Sequence, residues 1–464
     1  MDILMPKAVS TILSMLKNSG HEAYIVGGCV RDSLLGLTPH DWDICTSATP
    51  DAIQACFAAH RTVPTGIQHG TVTVLLEETS YEVTTFRRDG AYTDGRHPKQ
   101  VQFVSSLKAD LARRDFTINA MAYHPIKQLI DPFGGAKDLQ SGVLKAVGDA
   151  KQRFTEDALR IVRALRFAAK YSLTIEAQTR AAMRALAPNV QQVSKERRTD
   201  ELLRTLAAPF PGKYFRQCTD ILFALLPPLA TCEGFLQNSL WHEHDVLTHI
   251  LRAVDEVRFT QEMDETDFVT VRLAALLHDI AKPACYHFGN DGHGHFKGHV
   301  QTGAEMASRI LQEYLRLPKQ MHATIVTLIA QHDADFVPSA KLVRRYLSRL
   351  GEKQLALLLA LRKADILAHG ENAANYRKSQ TVYENTVQFA ALMQQITKTE
   401  HCFTVKDLAV NGYDLENAGI QQGAAIGKTL RALLDMVLDA RVPNEKAALL
   451  QAISAINLHD LQST

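Results

Sequence analysis

A chain of 464 residues exceeds one ordinary domain, and at roughly 100–200 residues per domain it implies two to four units. Lysine plus arginine (51) nearly cancels aspartate plus glutamate (50), so bulk charge neither demands nor excludes a nucleic-acid partner, and local clusters must carry that question. Seven cysteines, an odd number without CxxC spacing, exclude a disulfide scaffold and a thiolate zinc site, and no stretch has the unbroken apolar run of a signal peptide or membrane span; a soluble cytoplasmic protein is expected.

In chain order, residues 21 to 145 read as a mixed α/β unit. "AYIVGG", "GTVTVLLEE", "SYEVTTF" and "QVQFV" are short β-branched runs bounded by turn residues, while "LKADLARRDFTINAMAYH" reads as helical. From about 146, alanine and leucine recur at helical spacing through "EDALRIVRALRFAAKY", "AQTRAAMRALA", "RRTDELLRTLAA" and almost everything after them. The expected fold class is an α+β head followed by an all-α neck, body and tail, with borders near 145 and 240 giving units 1–145, 146–240 and 241–464.

The stretch "YIVGGCVRDSLLGLTPHDWDICT" (24–46) carries the first chemistry. In an extended segment, alternation places Asp41 and Asp43 on one face and Trp42 and Ile44 on the other. Two carboxylates pointing together suit a hard divalent cation that leaves positions open for substrate phosphates. Gly27 and Gly28 end the preceding strand, where the absence of side chains lets backbone N–H groups approach a phosphate, with Arg31 available as a charged clamp. Glu82, in the strand-like "YEVTTF", is a candidate third carboxylate, and equally an exposed strand residue.

Further on, "EDALRIVRALRF" places Asp157, Arg160, Arg163 and Arg166 along one half of a helix, with Ile161, Val162 and Leu165 on the other. Asp and Arg at this spacing also form ordinary surface pairs, worth about 0.2–0.5 kcal/mol. The basic runs "KERR" at 195 and "KLVRRYLSR" at 341 could meet RNA phosphates or simply face solvent. In the C-terminal half, "WHEHDVLTHILRAV", "RLAALLHDIAKP" and "LRKADILAHG" supply His249, His278, Asp279 and Asp365, an N/O ligand set for a divalent metal, with Lys282 near enough in sequence to meet a phosphate. His287, His293, His295, His299 and His332 follow, as a second metal site or as a solvated loop.

"GGCVRDSLLG…HDWDI", "RRDFTINAMAY", "DPFGG", "EDALRIVRALRF" and "ERRTDELLR", in this order, resemble the class II tRNA nucleotidyltransferases (CCA-adding enzymes) and bacterial poly(A) polymerases over roughly the first 210 residues. The resemblance implies a DNA-polymerase-β-like head and transfer of a nucleoside monophosphate from CTP or ATP to a tRNA 3′-hydroxyl, with Mg²⁺ on Asp41 and Asp43. It implies that Asp157 and Arg160 imitate a Watson–Crick edge, that Arg163 and Arg166 serve the triphosphate or primer, and that Arg114 contacts sugar and phosphate while Asp115 and Asn119 organise the ribose site. The loop 86–104, complete here, argues for terminal A addition; an A-adding enzyme or poly(A) polymerase is the alternative. The order H…HD…D of His249, His278, Asp279 and Asp365 is similar to the HD phosphohydrolases, which implies a second divalent metal, and a metal phosphohydrolase with an RNA-binding head is the rival reading.

Overall fold

The computed structural model describes residues 2–90, 101–238, 243–370 and 373–453. They form two compact units: residues 1–227 with Tyr314–Arg316, and Pro228–Glu313 with the chain from Leu317 onward. This division draws one main border, near residue 227, and leaves head and neck in one unit.

The first unit is built on a mixed seven-stranded sheet. Its strands are β1 (Ala23–Val26), β2 (Ile44–Thr46), β3 (Thr62–Gly66), β4 (Thr71–Leu76) and β5 (Thr79–Thr85). A separate hairpin follows, β6 (Arg87–Asp89) and β7 (Val101–Phe103), and then β8 (Ala122–His124) and β9 (Gln128–Ile130) complete the sheet. The sheet order is β3-β4-β5-β2-β1-β8-β9, with β2 and β5 parallel and the other pairs antiparallel. Strand β1 is buried along its whole length, which explains why "AYIV" reads as a continuous apolar run.

The helices of the head are α1 (Lys7–Asn18), α2 (Gly28–Leu34), α3 (Pro50–Cys56), α4 (Leu107–Ala112) and α5 (Gly135–Gln140). The neck adds α6 (Ala150–Glu156), α7 (Leu159–Tyr171), α8 (Ala177–Leu186), α9 (Lys195–Leu206), α10 (Pro211–Gln217) and α11 (Thr219–Leu225). Helix α4 starts where the Ser106 hydroxyl accepts the Ala109 N–H, and α6 where the Asp149 carboxylate accepts the Gln152 N–H, side-chain caps that satisfy orphan donors of the first turn. The expected helix over "LKADLARRDFTINAMAYH" is confined to α4. From Asp115 to Tyr123 every residue is buried, the polar Asp115, Thr117 and Asn119 included, an unbroken burial that a one-faced helix does not give, and the chain closes into β8 against β1.

The second unit contains α12 (Val246–Glu256), α13 (Glu265–Leu277), α14 (Lys282–Cys285), α15 (His299–Tyr314) and α16 (Lys319–Ile329). It continues with α17 (Ala340–Leu367), α18 (Ala373–Thr399), α19 (Gly412–Asn417), α20 (Ala424–Leu438) and α21 (Lys446–Ala452). Helix α13 is buried on nearly every side, from Val269 to Leu277, and so forms the axis on which α12, α16 and α17 pack. Asp264 and Asp267 close its N-terminus as a reciprocal capping box. Among the described residues no helix is long and apolar enough to cross a membrane.

Candidate functional site

The glycine bend and the acid pair are held together by the sheet. The Val26 N–H donates to the Asp43 carbonyl at 3.0 Å, so the residue immediately before the bend is paired to the second acid of "DWD". Gly27 then turns the chain at φ +79° into α2, donating its own N–H to the Met121 carbonyl at 3.1 Å. A side chain at this position would be strained by the positive φ, and its Cβ would lie 2.7 Å from Nη1 of Arg114. Glycine is therefore needed twice, for the turn and for the close approach of an arginine.

Asp41 and Asp43 lie just before β2, in a segment without regular structure, both exposed, with Trp42 between them less so. The parallel register pairs Ile44 with Val83, which brings Glu82, one residue earlier on β5, beside Asp43. Asp41, Asp43 and Glu82 line one open cleft of about 600 Å³. Burial raises the Asp43 pKa, Arg114 opposes the rise, and Asp41 adds to it. Burial also raises Glu82, with Asp43 and then Asp41 as the next causes. Three like-charged carboxylates facing one cleft fit a hard divalent cation, which would remove the repulsion these shifts record.

Behind the bend lies an interlocked set of charges. Arg31 is buried and its guanidinium is already occupied: it donates through Nε to Asp32 at 2.9 Å and through Nη1 to the Asn119 side chain, and it lies over the rings of Tyr171 and Phe167. As the fourth residue of α2, Arg31 points into the unit, so the phosphate contact expected of it would require it to exchange these partners. Asn119 donates to Asp115 at 3.1 Å, and Asp115 Oδ2 accepts from Nε and Nη2 of Arg163 at 2.9 and 2.7 Å. Burial works against the Asp115 charge, yet Arg163 and Asn119 outweigh it and hold the pKa down at about 2. Arg166 is buried, donates to Glu201 at 2.6 Å and lies over Phe167, so it too faces inward rather than toward a primer.

Asp157 is not inside a helix. It ends α6 in an extended conformation, and its carboxylate accepts the Leu159 N–H at 3.0 Å, which is why α7 begins there. Arg197 of α9 donates to Asp157 Oδ2 at 2.8 Å. Arg160 donates to Glu156 at 2.8 Å and to the carbonyls of Arg153 and Arg113, both at 3.1 Å. The structure thus brings Asp157 and Arg160 to the same corner, each held by its own partner instead of by the other. Arg197, Glu156 and Glu201 are absent from the site residues expected from the sequence; the first and last belong to "ERRTDELLR", whose arginines there read as a basic cluster.

In the second unit, five segments deliver histidines and carboxylates to one buried point. The His249 Nε2 lies 3.2 Å from His278 Nε2, 3.0 Å from Asp365 Oδ1 and 3.3 Å from Asp279 Oδ2. His299 and His332 approach the other oxygen of Asp279, at 3.8 and 3.7 Å, and His369 stands 3.7 Å from Asp365. The Nδ1 atoms of His278, His299 and His332 each face a backbone carbonyl at 2.7–2.8 Å, which fixes the tautomer so that Nε2 presents its lone pair to the centre. Burial opposes charge on His278, but Asp279 and Asp365 lift its pKa to about 10, which reports how strongly the two carboxylates favour a positive charge between them. Three overlapping ligand trios, all within 4.8 Å, fit a divalent metal: His249 with Asp365 and His369, His249 with His278 and Asp279, and Asp279 with His299 and His332. Lys282 pairs with Asp279 at 2.7 Å. His287 and His295 stack on each other at an exposed hairpin, and His295 pairs with Asp291 instead of the centre. Of the loop expected to bear on A addition, 91–100 lies outside the described residues.

Residues 23–145 match the Poly A polymerase head domain family, 172–230 the RNA and SrmB-binding site of polymerase A, and 300–453 the tRNA nucleotidyltransferase domain 2 family. The CCA-adding enzyme of Levilactobacillus brevis is 35% identical over 449 residues, covering 96% of each chain. That of Leuconostoc mesenteroides is 54% identical over 186 residues, 40% of this chain and 46% of that one. The crystal structure of the Bacillus stearothermophilus CCA-adding enzyme in complex with CTP superimposes with a TM-score of 0.73 at 28% identity, covering 98% of this chain and 99% of that one. With a polymerase head at its N-terminal end and this near full-length likeness, the chain belongs to the CCA-adding enzyme family, the tRNA nucleotidyltransferases of class II.

Proposed function

We propose that the chain restores the CCA end of tRNA in the cytoplasm, using CTP and ATP and releasing pyrophosphate, with Asp41 and Asp43 as its metal-binding acids. The observation that carries the reading is the hydrogen bond from Val26 to the Asp43 carbonyl, which joins the acid pair to the Gly27 bend. Asp41, Asp43 and Glu82 would hold Mg²⁺, which supplies charge neutralisation for the primer hydroxyl and the triphosphate. The bend offers bare backbone to the phosphates, and Arg114, lying against it, offers a cation to the same oxygens. By exchanging the partners that hold them here, Asp157 would present an acceptor and Arg160 a fork of donors to the base; a base of the wrong pattern leaves a buried polar group unpaired, at about 1–3 kcal/mol. Asp115 and Asn119 organise the ribose side of the pocket, and Arg163 holds Asp115 in place.

The buried histidine cluster supports a second site in the same chain. His249, His278, Asp279 and Asp365 would hold a divalent metal, which supplies activation of water against a phosphate ester, and Lys282 keeps the shared Asp279 charged and oriented. The experiment for both readings offers tRNA transcripts lacking CCA, lacking only A, or complete, with CTP and ATP singly and together, and sequences the 3′ ends. Sequential C, C and A addition is the expected result; growth by A alone, or only shortening of the ends, would contradict the first reading.

A further inference from the structure

The carboxylate of Asp110 is fully buried at the end of α4, and no part of the chemistry derived above uses it. Its Oδ1 is taken by Arg113, through Nε at 3.0 Å and Nη2 at 2.9 Å, and also accepts the Arg87 N–H at 3.3 Å. Its Oδ2 is buried without a hydrogen bond, 3.6 Å from Nη2 of Arg114, whose own Nε is a buried donor without a partner. Arg114 in turn packs against Gly27 and opposes the rise in the Asp43 pKa. The carbonyl of Arg113 is the one that receives Nη2 of Arg160. One carboxylate therefore stands at the junction of the β6–β7 hairpin, the arginine over the glycine bend and the arginine facing the base.

We propose that Asp110 is a positioning residue for nucleotidyl transfer, holding Arg114 against the Gly27 bend and registering it with the start of the hairpin at Arg87. The geometry favours this over a purely structural ion pair. Arg113 and the Arg87 N–H satisfy Oδ1, whereas Oδ2 and the Arg114 guanidinium face each other at a separation that a small side-chain rotation closes into a charge-assisted hydrogen bond. A buried carboxylate oxygen without a hydrogen bond is costly, so Oδ2 and the facing Nη2 are set to close once a bound triphosphate reorients Arg114. An arginine held from behind loses less rotamer freedom when it meets its ligand.

The proposal rests on Arg114 as a triphosphate contact, and a double-mutant cycle separates the two claims. Steady-state CTP and ATP incorporation is measured on wild type, Asp110→Asn, Arg114→Ala and the double variant, with melting temperatures alongside. The expected result is that Asp110→Asn raises KM for both nucleotides about tenfold with kcat changed less than about threefold, and that it adds less than about twofold on the Arg114→Ala background. Equal and multiplicative losses on both backgrounds, or a lowered melting temperature with unchanged KM, would make Asp110 merely structural and overturn the proposal. An Arg114→Ala variant with normal KM would overturn the triphosphate role and the proposal together. Should Asp110→Asn fail to fold, Asp110→Glu, which keeps the charge and displaces it by one methylene, replaces it in the same cycle.

Discussion

Arg163 grips Asp115 through two nitrogens on one carboxylate oxygen, at 2.9 and 2.7 Å, and so fastens neck helix α7 to the strand-ending segment of the head. The pair is the centre of a chain of contacts that runs from Asp32 through Arg31, Asn119, Asp115 and Arg163 to Glu201. Asp115 is nearly closed to solvent, so its charge is stabilised by the protein and not by water.

This gives a pH dependence of defined sign. The folded-state pKa of Asp115 is about 2, below the unfolded value near 3.9. The stability it contributes is present above about pH 4 and is lost as pH falls through the folded pKa, an effect of roughly 2–3 kcal/mol. Asp115→Asn should lower the melting temperature at pH 7 and flatten the acid limb between about pH 4 and 2. Arg163→Met should cost more than Asp115→Asn at pH 7, about 3–5 kcal/mol, because it strands a buried carboxylate. Melting curves of the three proteins across pH check both statements.

Base selection should depend on the partner behind Asp157. Arg197 holds Oδ2 of that carboxylate at 2.8 Å and the Leu159 N–H holds Oδ1 at 3.0 Å, which together fix its orientation. Arg197→Met should keep incorporation but reduce discrimination of CTP and ATP over UTP and GTP by about tenfold, equivalent to about 1.4 kcal/mol of lost orientation. Asp157→Ala should reduce it further. Single-nucleotide incorporation with each triphosphate gives the ratios.

Gly27→Ala tests the bend. The new Cβ would fall 2.7 Å from Arg114 Nη1 at a positive φ, so the guanidinium must leave or the turn must open. The expected loss is at least about a hundredfold in kcat/KM for nucleotide, with a stability cost of only about 1–2 kcal/mol. Near-normal kinetics in a folded variant would mean that Arg114 acts from elsewhere.

Metal in the second unit is checked without assaying activity. Protein stripped with chelator and dialysed against Mn²⁺ or Ni²⁺ should bind metal by elemental analysis and gain stability, by about 2.7 kcal/mol at a hundredfold excess over Kd. His278→Ala and Asp365→Ala should abolish that gain while leaving CTP incorporation by the head intact. No bound metal and no shift in melting would leave the cluster a buried polar network.

Much of this was legible because chemistry clusters in short motifs. "IVGGCVRD" leaves β1 and "DWDIC" enters β2, two paired strands, so the glycine bend and the acid pair read from the sequence lie at neighbouring strand ends. Glu82 was legible only as a candidate, since its position beside Asp43 depends on the parallel pairing of Ile44 with Val83, a non-local register. Periodicity misread "RRDFTINAMAYH", because burial there is unbroken from Asp115 to Tyr123, and a short segment buried on every side carries no period that separates helix from strand. It also ran α7 two residues too far back, where the Asp157 side chain caps the Leu159 N–H. The burial of Arg31 and Arg166 was not legible, because charge shows in a sequence and burial does not; their partners, Asn119 and Glu201, lie 88 and 35 residues away. His299 and His332 were left between two readings for the same reason, as only the fold brings them to Asp279.

The most direct test of the central claim is CTP incorporation by Asp43→Asn on a tRNA lacking CCA, with melting measured in parallel. The account predicts a loss of more than about a thousandfold in incorporation, with a melting temperature equal to or above that of wild type, because one of three mutually repelling carboxylates has been neutralised. A folded Asp43→Asn protein that still adds cytidine within about tenfold of the wild-type rate would contradict it.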